Sequence, residues 1–433
     1  MFVEKEPIFA LATPKGRSAL AVFRVSGKLS HKIIKKISSQ KHWTNNKSTL
    51  NYLLDDKKEK IDKTLTTFFK APKSYTGEDM VEISCHGSIA VINKVAETLT
   101  KQGIRCADPG EFTKRALKNN KLDITQAESI ADIVNSETEK QRIIALKNLD
   151  GELSLFLRML SKKITKLLAD VEALIDFSDE ELPKNMLKHI KEQNKNIKML
   201  IKNGLLRSRM AKPIRDGFLI TVLGSPNTGK SSFVNYISGR NTSIVTNIPG
   251  TTTDSLETSV EIDGYKFRLV DTAGIRKNRG KIEKIGIEKA LKTASTADLN
   301  LVFLEKNEKN KYTKIHNKVF IRSKEDIRRS LISDKKIIKI SSKTGYGINK
   351  LIKIIKKELI KSDNEKTPLF SRERHIHKMK KCLEILESLN FNNNIDIIAE
   401  DIRLALKETN EIYEKFDIEK ILDIIFSDFC IGK

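Results

Sequence analysis

Residues 218–231 read Phe-Leu-Ile-Thr-Val-Leu-Gly-Ser-Pro-Asn-Thr-Gly-Lys-Ser. The apolar run ending at Leu223 predicts a short buried strand, and the residues after Lys230 carry a helical pattern. Between them, Gly224 to Ser231 matches G-x-x-x-x-G-K-[ST], a loop built for phosphate. Its glycines let backbone N–H groups turn inward around a polyanion. Lys230 is placed to reach the β and γ phosphates, and the Ser231 hydroxyl is placed to meet Mg²⁺. The helix that follows adds the positive end of its dipole. Strand, loop and helix in that order predict a parallel α/β domain.

Downstream segments narrow the nucleotide. Gly250-Thr251-Thr252-Thr253-Asp254 is a polar loop able to supply a threonine hydroxyl to the metal. Asp271-Thr272-Ala273-Gly274 follows an apolar strand, which sets a carboxylate near Mg²⁺ and a pliable glycine near the γ-phosphate. These spacings resemble the translation-factor-like branch of P-loop GTPases. The guanine-reading N-K-x-D is then expected after a strand. Ser323-Lys324-Glu325-Asp326 stands there, with Ser323 in place of the asparagine. Asp326 still accepts from guanine N1 and N2, so GTP is favoured. Ser341-Ser342-Lys343 reads as the last guanine-contacting loop. Ras-like enzymes place a water-orienting Gln after D-x-x-G; here Ile275 occupies that position. A carboxylate further along is the substitute candidate, and Glu283 is singled out.

The chain around this centre has 433 residues, enough for two to four domains. Lys plus Arg is 80 and Asp plus Glu is 56, a formal net charge of +24 that suits a polyanion partner. The same excess also fits a Lys-rich composition with no partner behind it. Four cysteines exclude a disulfide framework and point to a reducing, cytoplasmic setting. No apolar run approaches the ~20 residues of a membrane span, and the N-terminal stretch lacks a signal-peptide core.

Residues 1–118 alternate strand and helix patterns, with strands at 19–25, 64–69, 80–85 and near 104 and helices at 30–38 and 89–99. That order predicts a ferredoxin-like α+β sheet. Residues 41–63 are polar and read as a loop or insertion. Residues 119–215 read as helix, opened by a capping box at Thr125 and Glu128 and closed at Pro213. The α/β unit occupies 216–365, and 366–433 is helical again. The expected architecture is an N-terminal α+β domain followed by a helical domain into which the nucleotide domain is inserted. Cys85, Cys106 and Cys382 show no zinc spacing. His375 and His377 are expected in solvent. The prenylation reading of the terminal Cys-Ile-Gly-Lys fails, because glycine stands where an aliphatic residue is wanted.

Several further segments carry a resemblance. They are ATPKG (12–16), FRVSG (23–27), YTGEDMVE (75–82), CHG (85–87), PGEFTKRA (109–116), NNKLDITQAE (120–128), IDFSDEE (175–181), EKIGIEKA (283–290) and FCIGK (429–433). With the phosphate loop, they make the chain similar over its whole length to the MnmE/TrmE family of tRNA uridine-modifying GTPases. That resemblance implies a homodimer and an FAD-dependent partner, MnmG, in a heterotetramer. It implies an aminomethyl or carboxymethylaminomethyl group added at C5 of the wobble uridine, from a 5-formyl- or methylene-tetrahydrofolate donor. The folate contacts would fall on Arg24, Glu82, Lys121 and Lys433, with Cys430 catalytic or near the site. GTP would meet Asn227, Thr228, Gly229, Lys230, Ser231 and Ser232, then Thr246, Asn247, Ile248, Pro249, Gly250, Thr251 and Thr252. Asp271, Thr272, Ala273 and Gly274 would follow, then Lys324, Asp326, Ser341, Ser342 and Lys343. Mg²⁺ would take Ser231 and Thr252; K⁺ would take Asn227, Thr246, Ile248 and Thr251. Glu283 would orient the attacking water, with Lys230 as its catalytic companion. Ser323 and Thr253 depart from the family pattern, which places Asn and Arg there. Two other classes compete: a regulatory RNA-binding GTPase, for which no appended G-x-x-G RNA clamp is found, and a non-catalytic nucleotide switch.

Overall fold

The computed structural model describes residues 6–176, 185–240, 256–271, 292–305, 309–327, 336–360, 367–391, 394–414 and 432. They fall into two compact units. The first comprises Met1–Val134, Asn148–Lys166 and Leu406–Lys433; the second comprises Asn135–Lys147 and Leu167–Ala405.

The first unit is organised by a six-stranded sheet. Its strands are β1 (Ile8–Leu11), β2 (Ser18–Ser26), β3 (Ser48–Leu54), β4 (Lys60–Phe69), β5 (Met80–Gly87) and β6 (Arg105–Cys106). Helix α1 (Ser30–Lys36) follows β2, and α2 (Ile89–Lys101) follows β5. The sheet order is β3-β4-β5-β2-β1-β6. Stripped of β1 and β3 it is the expected ferredoxin-like order. β1 is an added strand between the first and last of that set, antiparallel to β2 and parallel to β6.

Period-two alternation decides the faces. Phe23, Val25, Val81 and Ile83 share a buried core with Ile33, Ile34 and Ile37 of α1 and its exit, and with Ile92, Val95 and Leu99 of α2. The intervening Arg24 and Glu82 therefore belong to the opposite face. Helix α2 starts where the Ser88 hydroxyl accepts the Val91 N–H at 3.2 Å, an N-cap satisfying one orphan donor.

The reading of 41–63 as a loop is corrected: β3 and the first residues of β4 lie in it, paired antiparallel from Ser48↔Thr67 to Leu54↔Lys60. The inward residues of β3 are Asn51 and Leu53, so the alternation is half polar and escapes a hydrophobic template. Asp55 closes the hairpin by accepting the N–H groups of Lys57 and Glu59, both at 2.9 Å.

Helices α3 (Glu111–Lys118), α4 (Ile124–Val134), α5 (Glu139–Leu149) and α6 (Glu152–Asp176) follow. The capping box sits two residues earlier than expected. Asp123 Oδ1 accepts the Gln126 N–H at 3.1 Å, and Gln126 Oε1 accepts the Asp123 N–H at 3.1 Å. Thr125 is already inside the first turn, and its hydroxyl bonds Asp123 and Ser154.

The second unit holds α7 (Met186–Arg207), α8 (Ala211–Asp216) and a six-stranded sheet. Pro213 does not end the helical region; it lies in the first turns of α8, where a missing N–H costs little. The strands are β7 (Phe218–Gly224), β8 (Leu256–Ile262), β9 (Tyr265–Asp271), β10 (Leu299–Phe303), β11 (Lys318–Arg322) and β12 (Ile337–Lys339). Their order is β12-β11-β10-β7-β9-β8. All neighbours are parallel except β8 and β9, which form a hairpin through Asp263 and Gly264, both at positive φ. Helix α9 (Lys230–Arg240) leaves the loop after β7, and α10 (Ile348–Leu359) closes the domain. Phe218, Ile220 and Val222 of β7 pack with Phe233 and Ile237 of α9, and with Leu301 and Phe303 of β10.

Helices α11 (Glu373–Ser388) and α12 (Ile395–Asn410) complete the described chain. α7 packs on α11 through Ile190, Asn194, Ile197 and Ile201, and the Asn194 amide donates to the Leu386 carbonyl at 3.1 Å. Gly204 lets Phe370 approach: a Cβ there would stand 2.9 Å from its ring. His375, expected in solvent, is buried, because its spacing to Met379, Cys382 and Leu386 puts it on the inner stripe of α11.

Candidate functional site

The strand order reverses around β7, with β9 on one side and β10 on the other. Such a switch point opens a crevice at the carboxyl ends of the strands, where ligands bind. Each nucleotide motif in the described residues sits at that edge. The phosphate loop follows β7, Asp271 ends β9, Ser323 to Asp326 follow β11, and Ser341 to Lys343 follow β12. The five parallel strands thus gather residues more than a hundred positions apart.

The phosphate loop is held by close packing. Gly224 has φ 141°, and a Cβ there would meet the Phe303 carbonyl oxygen at 2.3 Å. Gly229 has φ 89°, and Asn227 is left-handed at φ 63°. These values turn the chain so that successive N–H groups face one side. Lys230 is 4% exposed, and its ammonium donates to the carbonyls of Gly224 at 3.0 Å and Ser225 at 2.7 Å. The Ser231 hydroxyl donates to Asp271 Oδ2 at 2.8 Å. A hydroxyl and a carboxylate side by side are the hard oxygen donors that Mg²⁺ takes. The pairing is set by register, since Asp271 is opposite Val222 in the β7–β9 ladder.

The guanine loop is strapped to the phosphate loop. The Ser323 hydroxyl donates to the Thr228 carbonyl oxygen. The Lys324 ammonium donates to the Asn227 carbonyl oxygen at 2.7 Å, from a residue at φ 65°. A Cβ on Gly229 would lie 2.5 Å from Ser323 Oγ, so the two loops touch. Ser323, which sequence reasoning treated as a loss, has a structural job: its short hydroxyl reaches the neighbouring loop. Asp326 Oδ1 accepts the Ser341 hydroxyl at 2.7 Å. That hydrogen bond, with the nearby Lys343 charge, holds the Asp326 carboxyl below its ordinary range. It is therefore ionised at neutral pH and ready to accept two N–H donors. Ser342, next in the chain to Ser341, has a buried hydroxyl.

A second constellation lies in the first unit. Arg24 and Glu82 are directly opposite across β2 and β5, and Arg24 Nε donates to Glu82 Oε1 at 2.8 Å. The Arg24 guanidinium also stands 5.8 Å from the Tyr75 ring centre and donates to the Gly432 carbonyl at 3.4 Å. Gly432 has φ 104°, and a Cβ there would collide with Leu11 O at 2.6 Å, so only glycine fits this close at that position. Lys121 donates to the Pro72 carbonyl at 3.0 Å and packs against Gly77. Arg24 and Lys121 thus border one segment, residues 72–78, with Glu82 joined to it through Arg24. Sequence reasoning did not single out Tyr75, Glu78 or Arg115 there. Burial raises the Tyr75 hydroxyl's pKa, and its oxygen pairs with Thr113 at 2.7 Å. Glu78 is held by Ser26 at 2.8 Å and by Arg115 at 3.0 Å. The quoted segments YTGEDMVE and PGEFTKRA contain all three, and that was the available signal.

Cys85 is buried, with its thiol pushed up to about 11 chiefly by that burial, and His86 pairs with Asp62 at 2.8 Å. No group of three or more metal-ligating side chains occurs among the described residues. Thr246, Asn247, Ile248, Pro249, Gly250, Thr251 and Thr252 lie outside the described residues. So do Thr272, Ala273, Gly274, Glu283, Cys430 and Lys433.

A parallel sheet with a phosphate loop at its switch point, a carboxylate beside the loop serine and a guanine-type Lys-x-Asp defines a P-loop GTPase. Comparison with known proteins goes further. The family described as "GTP-binding protein TrmE N-terminus" matches residues 7–121, and "MnmE helical domain" matches residues 124–430. The tRNA modification GTPase MnmE of Pelagibacter ubique is 39% identical, over 98% of this chain and all of the relative. That of Aquifex aeolicus is 37% identical, over 99% of this chain and all of the relative. That of the Wolbachia of Culex pipiens is 37% identical over 99% of each. The chain belongs to the MnmE/TrmE family.

Proposed function

We propose that this GTPase modifies tRNA, adding an aminomethyl or carboxymethylaminomethyl group at C5 of the wobble uridine, position 34. The observation that carries this reading is the end-to-end match to relatives named tRNA modification GTPases, on a chain whose phosphate and guanine loops are both assembled. The reading includes the FAD-dependent partner MnmG in a heterotetramer, a homodimer of this chain and a cytoplasmic setting. It divides the chain into an N-terminal domain (1–118), a nucleotide domain (216–365) and a helical domain made of 119–215 and 366–433.

The residues are suited to the parts this assigns them. Lys230, fully desolvated in its loop, trades carbonyl partners for the β and γ phosphates. Ser231, with Asp271 beside it, and Thr252 would hold Mg²⁺, which would offset charge on the phosphates. Asn227, Thr246, Ile248 and Thr251 would hold K⁺, which would supply positive charge beside the phosphates. Glu283 orients the attacking water, a role Ile275 is chemically unable to fill. Lys324 and Asp326 select guanine. In the first unit the Arg24 guanidinium, the Glu82 carboxylate and the Lys121 ammonium offer both donors and acceptors to a 5-formyl- or methylene-tetrahydrofolate. Lys433 and Cys430 are assigned to the same folate site.

The test is nucleoside mass spectrometry of tRNA from a deletion strain, with and without the gene restored. The modified wobble uridine should vanish and return; an unchanged nucleoside profile in the deletion strain overturns the reading. Separately, Glu283→Ala should keep GTP binding and lose roughly a hundredfold in potassium-dependent turnover. Unchanged turnover would remove Glu283 from the mechanism.

A further inference from the structure

Helix α7 carries a charge pattern that neither the fold nor the GTPase site uses. Its five lysines are Lys188, Lys191, Lys195, Lys198 and Lys202, and Arg209 follows in the next turn. The intervals between the lysines are three, four, three and four residues. At about 100° per residue the five lysines fall within an arc of about 80°, in a row about 20 Å long that Arg209 extends. Lys198 is half-buried and the other five are exposed. Glu192 is the only acidic residue of the helix.

The row does not serve the core. The buried positions of α7 are Ile190, Asn194, Ile197, Ile201 and Gly204, which lie to one side of it. At its C-terminal end the row enters a groove of about 800 Å³ between α7 and α11. Lys202, Arg209, Lys212, His377 and Lys380 line that groove, with Glu373 as the acidic member, paired to Lys212 at 2.7 Å. Lys202 is itself paired to Glu387 at 2.6 Å, and the Lys191 ammonium stands 5.8 Å from the Phe391 ring centre.

We infer that this face of α7, with the groove it enters, is a docking surface for the phosphate backbone of tRNA. The inference rests on the tRNA reading above and names the surface for it. A straight row of cations, repeating about every 5 Å along a rigid helix, is complementary to a line of phosphates. An anionic membrane is the weaker match. α7 has no Phe, Trp or Tyr to insert at an interface, and its exposed apolar residues, Leu187, Met199 and Leu206, are spread singly along the helix and form no continuous apolar face.

The test uses the full chain and an unmodified tRNA transcript, with binding followed across a salt series. The wild-type chain should bind, and the triple variant Lys188→Gln, Lys195→Gln, Lys198→Gln should bind at least tenfold more weakly. Its slope of log affinity against log salt should be shallower by about two to three. Lys195→Gln alone should cost a few-fold, and replacing the three lysines by arginine should preserve binding. A charge-matched control, Lys350→Gln, Lys353→Gln, Lys357→Gln on α10, should change affinity less than about threefold. GTP hydrolysis and thermal melting should be the same in all variants. Undiminished binding by the α7 triple overturns the inference, as does an equal loss from the α10 triple. So does a wild-type chain that binds phosphatidylglycerol vesicles through these lysines and not tRNA. Loss of wobble modification in the deletion strain, together with any of those outcomes, would leave the tRNA reading standing and remove only this surface.

Discussion

The two sheets build their sites in opposite ways. In the parallel sheet the described site residues lie at or just beyond the strands' carboxyl ends, in short segments whose neighbours in sequence are also neighbours in function. In the mostly antiparallel sheet of the first unit, Arg24 and Glu82 lie within strands and meet only because β2 and β5 pair in one register. A one-residue slip would turn one of them to the opposite face. Loop-end sites therefore appear as contiguous motifs, while mid-strand sites appear as isolated residues in an apolar context.

That contrast can be broken by substitution. The largest expected effect is in the loop-end site: Lys230→Ala should lower GTP turnover by roughly a hundredfold to a thousandfold, measured as phosphate release. The variant should still fold and melt cooperatively, since the loop's glycines and the β7–β10 pairing remain. Retained turnover would show that the loop geometry is not the working one. The mid-strand site should respond with stability as well as function. Glu82→Leu leaves the partly buried Arg24 without its carboxylate and should cost about 1–2 kcal/mol in a denaturant melt, while GTP turnover is unchanged. A melt identical to the parent would mean that register alone holds the pair.

Ser323→Ala tests the strap between the guanine and phosphate loops. Loss of one hydrogen bond of about 1 kcal/mol should weaken GTP binding about fivefold, with little change in melting. Equal affinity would return Ser323 to the status of a simple departure from the family pattern. The smallest effect is a shift of pH profile. Asp326 is held below its ordinary range mainly by Ser341, so guanine recognition persists as pH falls and is lost only when the carboxylate protonates. Ser341→Ala should move the acid limb of GTP affinity to higher pH, with affinity above neutrality nearly unchanged. An unmoved limb would show that the hydroxyl does not set this titration.

The parallel domain was legible down to single residues, because Gly224, Lys230, Ser231, Asp271 and Asp326 announce themselves by spacing. The first unit was legible in its strands β2, β4 and β5 and in helices α1 and α2, which are apolar and regular. The β3–β4 hairpin was missed because its inward side includes Asn51, Thr64 and Thr66, buried polar groups that satisfy one another. The helix start at Asp123 was misplaced because Thr125 and Glu128 offer the same letters two residues on. His375 was assigned to solvent because its charged neighbours hid a four-three-four spacing.

By itself, the sequence determined the nucleotide site and the family, since phosphate recognition depends on backbone amides whose placement needs particular glycines and one lysine in a row. Only tertiary structure decided that Arg24 faces Glu82, that Ser323 bridges two loops and that Gly432 lies against the end of β1. Only the packing of α7 against α11 decided which side of that helix its lysines keep for solvent. Such meetings depend on register and packing between segments far apart in the chain, and no local pattern encodes the distance across a sheet.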